Sequence, residues 1–447
     1  MLVNELGDTL NFYFTILYFL LGTITSSFAF SAGGAYSGPA FTTGPTSSHF
    51  YLNGAINPAM PSLLVDQDEK WRWSYFPSAS ASIEFGNVDD FVDEIDDLID
   101  FVNESTLLDQ DINENINRFN EIINELSEDG YIKTDLSIHA PLLPLVHTND
   151  FFTGAMSIDL TYGVQATSRL FDAPIEIDLR ALEITTAASI YLKSSIETKL
   201  SFSYSQDISR ESTLFSEKQK LYAGVKINLI SLGLSRQVVP IVSLSGRDIG
   251  DLIVDDYKNN LQNNVDLAFD IGFVFDSEKY RLGFSAENLN SPEFEYSTVG
   301  QNCDENSLGL SRDSCLAAQV FTAEGRIDEM EFFTLEPRFR ADALYKISKN
   351  LHVSTAIDIS EYQDVTGFDN QWFYLSSLYN THYYLLPSVR FGYQKNLVGE
   401  GTSSLTLGAS IFKFLNIDLE YGLESITVRA DEFPRRLGLS MSIEEHF

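Results

Sequence analysis

The last eleven residues, Leu437 to Phe447, read LGLSMSIEEHF. Leu437, Leu439, Met441 and Ile443 take every second position, Phe447 continues the set, and Glu445 is its one break. Gly438, Ser440, Ser442, Glu444 and His446 lie between them. A period of two sends successive side chains to opposite faces of a strand. About ten residues is the length a tilted strand needs to cross a bilayer. Two readings fit this stretch alone: a membrane strand with lipid on its apolar side, or a half-buried strand of a soluble sandwich.

The rest of the chain favours the first. Alternation recurs over Met156 to Ala166, Leu221 to Leu229, Val265 to Phe275 and Tyr280 to Ala286. It continues over Phe333 to Ile347, Leu351 to Ile359, Gln371 to Tyr379, Ser388 to Asn396, Leu405 to Phe412 and Leu415 to Val428. Evenly spaced alternating strands predict an all-β fold, a transmembrane antiparallel up-and-down β-barrel of about fourteen strands. The terminal stretch resembles the C-terminal signal of bacterial outer-membrane barrels, carried here by Leu437, Leu439, Met441, Ile443 and Phe447. That resemblance implies insertion by the barrel assembly machinery into the outer membrane of a Gram-negative bacterium. Outer-membrane lipid and lipopolysaccharide are then its surroundings.

Such barrels have short periplasmic turns and longer external loops. Counted back from Phe447, the connections alternate long and short over nine strands. Nearer the N-terminus the count fails. Lys193 to Ile196 is too tight for its external side, and Ile208 to Lys220 too long for a periplasmic turn. A strand between Ala173 and Gly246 is therefore miscounted, and the side on which residues 87–128 lie stays open.

Composition agrees with a barrel. The 447 residues include 27 Gly, 21 Tyr and 33 Phe, as strands and interfacial aromatic girdles require. No run of about 18 apolar residues follows the N-terminal region, which excludes a helical membrane protein. The net charge of −35 argues against direct nucleic-acid contact, because phosphate recognition needs Lys and Arg. The charge suits exposed loops and a polar lumen.

Residues 11–21, NFYFTILYFLL, form an apolar core of signal-peptide length, and Ser27-Phe28-Ala29 fits a cleavage site. Residues 1–29 are read as a signal peptide, although Glu5 and Asp8 replace the usual leading positive charge. With export, Cys303 and Cys315 are expected to pair and close a polar loop. Closure would stabilise it by about 3 kcal/mol. No further Cys or His lies near them to make a zinc site.

Ser31 to Ser62 is rich in Gly, Ser, Thr and Pro and contains Asn57-Pro58-Ala59, a turn signature rather than a strand. Here the chain resembles the fatty-acid-transporter-like barrels and, more closely, the TraF-type conjugal-transfer outer-membrane family. Both carry Asn-Pro-Ala in a segment that folds into the lumen as a hatch. The resemblance implies a hatch over residues 30–69, with Asn57, Pro58 and Ala59 as its motif, and a barrel over residues 70–447. Residues 87–128 show apolar positions at three and four, from Val88 to Val102 and from Ile112 to Leu126, amid a run of carboxylates. They predict two amphipathic helices, and TraF-type members carry a similar acidic insertion. The run lacks the Asp-x-Asp-x-Asp-Gly spacing of a calcium loop.

None of the six histidines stands in a Gly-x-Ser-x-Gly or His-Glu-x-x-His context. A catalytic site, a metal site and a cofactor are therefore not expected. Arg338, Arg340 and Asp342 share one strand face whose other side is apolar, so they are expected in the lumen as bracing charges or ligand contacts. Three functions follow. The first is a TraF-like barrel, a hatch-gated channel. The second is a transporter for hydrophobic small molecules such as long-chain fatty acids, with a hydrophobic ligand beneath the hatch. The third is a structural or surface barrel with its lumen filled by charged pairs.

Overall fold

The computed structural model describes residues 40–43, 56–65, 70–73, 78–104, 112–148, 153–178, 183–209, 218–243, 260–305, 309–381, 383–428 and 431–443. Fourteen strands form the wall. They are β1 (Ala79–Phe85), β2 (Tyr131–His139), β3 (Gly154–Phe171), β4 (Ser189–Asp207), β5 (Gln219–Pro240), β6 (Gln262–Ser277) and β7 (Tyr280–Glu287). The second half is β8 (Arg338–Lys346), β9 (Leu351–Asp358), β10 (Trp372–Tyr379), β11 (Ser388–Asn396), β12 (Ser403–Ile411), β13 (Leu415–Gly422) and β14 (Arg436–Ile443). Each pairs antiparallel with its sequence neighbours, and β14 pairs with β1, so the sheet closes into a barrel of 14 strands. Closure leaves no unpaired edge along the wall, which a bilayer would not tolerate.

The alternation read from sequence sets the two faces. Leu407, Leu419, Leu439, Met441, Phe391, Phe269 and Ile227 point outward and are exposed. Their strand neighbours Thr406, Asp418, Glu420, Ser440, Arg390, Asp270 and Asn228 point inward and are buried. Polar in and apolar out is the inverse of a soluble core and the pattern of a barrel solvated by lipid.

The connections sort to two ends. At the turn end, two residues join β6 to β7, and residues 347–350 and 412–414 make similarly short links. At the loop end lie residues 86–130, 241–261 and 288–337. The helices α3 (Phe91–Glu104) and α4 (Ile112–Asp129) are at the loop end, which fixes the side left open above. Strands β3 to β6 are 16 to 22 residues long against eight or nine for β7 to β14, so that part of the wall rises beyond the rest. Its outer surface carries α3 and α4. Leu98, Ile99, Phe119, Ile123 and Leu126 pack on Leu170, Ile190 and Val239. Its inner surface carries α5 (Leu310–Ala323), whose Ala318 and Phe321 meet Tyr191 and Val238.

Several strand boundaries differ from the sequence reading. Lys193 to Ile196 is not a turn but the middle of the 19-residue β4. Of the two serines there, Ser195 is buried on the lumen face, and neither marks a break. The connection at 208–218 does lie at the turn end, an exception to the short-turn rule. Phe332–Thr334 belongs not to β8 but to a small hairpin with Glu293–Glu295 at the loop end. Likewise Ser425–Val428 leaves β13 and pairs with Asp431–Pro434. The link after Tyr379 runs to residue 387 rather than ending at Tyr383. Residues 1–29 and Phe447 lie outside the described residues.

Candidate functional site: the lumen and its hatch

Two pieces of the N-terminal segment lie inside the barrel: α1 (Ala40–Thr43) at mid-height of the shorter strands, and residues 56–65, which include α2 (Pro61–Leu64), towards the turn end. The Asn57 carboxamide shapes the second piece. Its Oδ1 accepts from Ala59 N at 2.9 Å, and its carbonyl accepts from Met60 N at 3.0 Å. Asn closes such turns with its own side chain, and Pro58 sets the backbone angle. Asn57 Nδ2 also donates to Phe284 O of β7 at 3.3 Å. The helix that follows is tied to the wall by serines: Ser62 N donates to Ser205 Oγ at 2.8 Å, and Ser62 Oγ to Ser205 O at 2.6 Å. Arg72 donates to Leu64 O at the end of α2.

Glycines make room for this segment. Gly224 of β5 and Gly272 of β6 are paired across the ladder, both facing inward. A Cβ on Gly224 would stand 2.0 Å from Pro58 O, and one on Gly272 2.1 Å from Asn57 Oδ1. Gly392 and Gly438 do the same for Thr42 O and the Phe41 ring. A glycine inside a strand often marks close approach of another backbone. Their inward parity, readable in the sequence, was the signal that the sequence reading missed. Thr42 Oγ1 donates to Asp418 Oδ1, and Thr43 O accepts from Ser354 Oγ at 3.2 Å.

The lumen wall is braced by buried ion pairs. Arg390 grips Asp418 through Nε at 2.9 Å and Nη2 at 2.8 Å, both side chains fully buried. Gly408 leaves the space for this pair. Arg436 bridges Glu84 at 2.6 Å and Glu420 at 2.7 Å, and Lys226 meets Asp270 at 2.9 Å. Arg338, Arg340 and Asp342 all lie on the inner face of β8. The two arginines converge on Asp358 of β9, at 2.8 Å and 2.9 Å. Asp358 was not singled out from sequence, although its place in the alternation of β9 puts it opposite Arg340. Asp342 lies beside Gly283 rather than in that pair.

At the loop end, residues 359–371 fold inward over the mouth. Asp364 accepts from Thr366 N, Thr366 Oγ1 and Phe368 N at 2.7 to 3.0 Å and from Lys133 Nζ of β2 at 2.5 Å. Burial pushes its carboxyl up, but Lys133 and these donors outweigh that and hold it below the usual carboxylate range. Phe368 lies against Tyr131 and under the Arg169 guanidinium, 4.1 Å away. Gly367, with φ +89°, allows the turn.

The pairing along one side of β3 is interrupted. β2 pairs with β3 as far as His139 opposite Thr161, and pairing resumes at Leu145 opposite Ile158. Between them Ala140 N still donates to Leu160 O at 2.9 Å, and the rest of residues 140–144 bulges out of the ladder opposite Asp159. The resumed strand, Leu145–Thr148, carries a short outer partner, Trp71–Trp73. Val146 packs on the hatch with Leu64, Val65 and Ala155. His139 sits at the break, 3.4 Å from Asp159. His147 stacks on Trp71. Cys303 and Cys315 form a disulfide between a short 3-10 turn and α5.

Fold and lumen together define a closed fourteen-stranded barrel of the outer-membrane type, with an N-terminal segment seated inside it. The family model described as "F plasmid transfer operon, TraF, protein" matches residues 54–358, and the chain belongs to that family. No curated protein matches the sequence. Among solved structures, the Ralstonia pickettii toluene transporter TbuX is similar over 92% of this chain and 98% of its own, at 10% identity and TM-score 0.45. The P. putida toluene transporter TodX is similar over 92% and 99%, at 12% identity and TM-score 0.45. A Pseudomonas aeruginosa FadL homologue covers 94% and 100%, at 11% identity and TM-score 0.43. The fold assignment rests on the strand pairing of this chain itself.

Proposed function

We propose that this protein is a channel in the outer membrane of a Gram-negative bacterium, closed by residues 40–43 and 56–65 and opened when they leave the wall. The single observation behind this reading is how the segment seats. It rests in glycine hollows, held by a few hydrogen bonds from Asn57, Ser62 and Thr42, while the wall is braced by its own ion pairs. The barrel therefore does not need the segment to stay closed as a cylinder. Opening requires breaking neutral hydrogen bonds at Asn57 and Ser62, each contributing about 1 kcal/mol net, the bond from Thr42 to the Asp418 carboxylate, and the packing of Met60 and Leu64 on Val146 and Val274. A conformational step of that size suits a gate.

Pinning the hatch tests this. Ser62 Oγ and Ser205 Oγ are 2.8 Å apart, so S62C/S205C can form a disulfide. In planar bilayers the oxidised variant should lose the conductance events of the wild type and regain them on reduction. Equal conductance with the hatch pinned would refute the gate.

A second reading is supported by the break at residues 140–144. It lies two residues before Val146, which packs on the hatch, and Leu142 there is exposed. A hydrophobic small molecule leaving the lumen sideways would pass there. Uptake of a labelled long-chain fatty acid into proteoliposomes, lost when the break is bridged by a disulfide, would support it. The family's association with conjugation gives a further role, in plasmid transfer, which deletion and mating frequency would test. Insertion by the barrel assembly machinery through Leu437 to Phe447, and lipopolysaccharide as the outer neighbour, belong to the same reading.

A further inference from the structure

At the turn end, β10 and β11 are joined by residues 380–387, which read NTHYYLLP. Thr381 closes this loop. Its N–H donates to Ser388 Oγ at 3.1 Å, and its Oγ1 donates to Leu386 O at 2.6 Å. The apolar side chains between are turned out. Tyr383 is 72% exposed and Leu385 80%, and Tyr384 and Leu386 are each more than half exposed. The neighbouring turn between β12 and β13 adds Phe412 and Phe414, both exposed. The Tyr384 ring lies 5.7 Å from that of Phe412, which lies 6.2 Å from that of Phe414, so the two connections share one apolar surface.

A contiguous exposed patch of this kind marks contact with a protein or with a membrane. Three features of this sector favour lipid. The patch is continuous with the outward face of the wall, where Tyr379, Val389, Phe391, Leu407 and Leu419 are all exposed. The wall here is also short. Strands of eight or nine residues, rising about 3.3 Å per residue at a tilt of about 40°, stand roughly 20–23 Å tall, against an apolar band of about 25 Å. On β11 the outward apolar set is Val389, Phe391 and Tyr393, and the exposed Lys395 follows it on the loop side. Apolar surface is therefore lacking in height, and the turn end supplies it. Finally, residues 380–387 carry no Asp, Glu, Lys or Arg, in a chain of net charge −35. Lys413, between the two phenylalanines, has a stem long enough to lie among apolar groups with its ammonium at the level of lipid phosphates.

We propose that Tyr383 to Leu386, with Phe412 and Phe414, are embedded in the turn-side leaflet of the bilayer and complete the apolar belt of the short strands. The proposal rests on the outer-membrane reading. It adds to that reading a place where the barrel meets lipid with a loop rather than with strands.

The test uses the full-length protein in vesicles of phosphatidylethanolamine and phosphatidylglycerol, with a nitroxide spin label on Leu385→Cys. The native cysteines are paired and stay unlabelled without reductant. Oxygen concentrates in lipid and a neutral nickel chelate in water, so their collision rates with the label report its surroundings. Labels at Leu407 on the outer wall and at the exposed Glu361 of the loop end serve as the lipid and water references. At Leu385 oxygen collisions should exceed nickel collisions several-fold, as at Leu407, with the ratio reversed at Glu361. Tyr383→Cys should repeat the result, so the outcome does not hang on one variant. Nickel access at Leu385 with oxygen access at Leu407 would overturn the proposal and leave the membrane reading standing. Shielding of Leu385 from both reagents, as a second copy packed there would give, would overturn it too. Nickel access at Leu407 as well would remove the membrane reading, and this proposal with it.

Discussion

Gly224 illustrates how single residues shape this protein. Its missing side chain is what lets Pro58 and Ala59 lie against the wall, because any Cβ would meet backbone rather than a flexible side chain. Gly224→Ala is therefore expected to unseat the hatch while the barrel survives. The measurements are faster protease cleavage within residues 50–65 and a rise in conductance, with the barrel's heat-modifiable gel shift unchanged. Arg390 and Asp418 show the opposite logic. Breaking a buried pair leaves an uncompensated charge, at about 3–5 kcal/mol. Arg390→Ala should lower the temperature of that gel shift by many degrees. From the sequence, inward or outward parity was legible for both residues. Partner choice was not, because Arg390 and Asp418 lie 28 positions apart on strands that are not adjacent.

At the scale of elements, the inward loop at 359–371 and the acidic helices respond to pH in opposite senses. Asp364 has its carboxyl held low, so its contribution is present above the ordinary carboxylate range, near 4, and is lost as pH falls through the lower folded value. Asp364→Asn removes the same ion pair at neutral pH and should release the loop from the mouth. Faster proteolysis near Phe368 at pH 7 in the variant, and in wild type only under strong acid, would bear this out. Glu94 on α3 is the reverse case. Burial raises its carboxyl, outweighing the attraction of Arg118, and its Oε2 is unpartnered. Charged Glu94 weakens the helix packing above the usual carboxylate range, and acidification relieves that. Glu94→Gln should accordingly slow hydrogen exchange in α3 at pH 7 and make no difference at pH 3. The helices themselves were legible as amphipathic runs. Where they dock was not, since Leu170, Ile190 and Val239 continue the outward face of membrane strands with no local mark that water and helices replace lipid there.

For the whole molecule, the decisive quantity is the solvent of the outer face. Leu407 sits midway along β12 and is exposed. An Arg at such a depth costs about 2–4 kcal/mol in a barrel, falling towards zero near the interfaces. Leu407→Arg should therefore lower the barrel's stability in bilayers, measured by denaturant refolding into vesicles. In detergent, where the belt is looser, the effect should shrink. A soluble sandwich would show the opposite, with exposed Leu407 tolerant of Arg in any medium.

The alternation of Leu437 to Ile443, repeated along the chain, determined a barrel with a polar inside and an apolar outside, because period-two patterning is local and survives in any register. The Asn57-Pro58-Ala59 turn and the two amphipathic helices were local for the same reason. Strand lengths, the loop folded into the mouth, the break at residues 140–144 and the meeting of Arg338 and Arg340 on Asp358 were settled only by closure of the sheet. Closure brings distant residues to one level of the lumen, and no short window of sequence contains both partners.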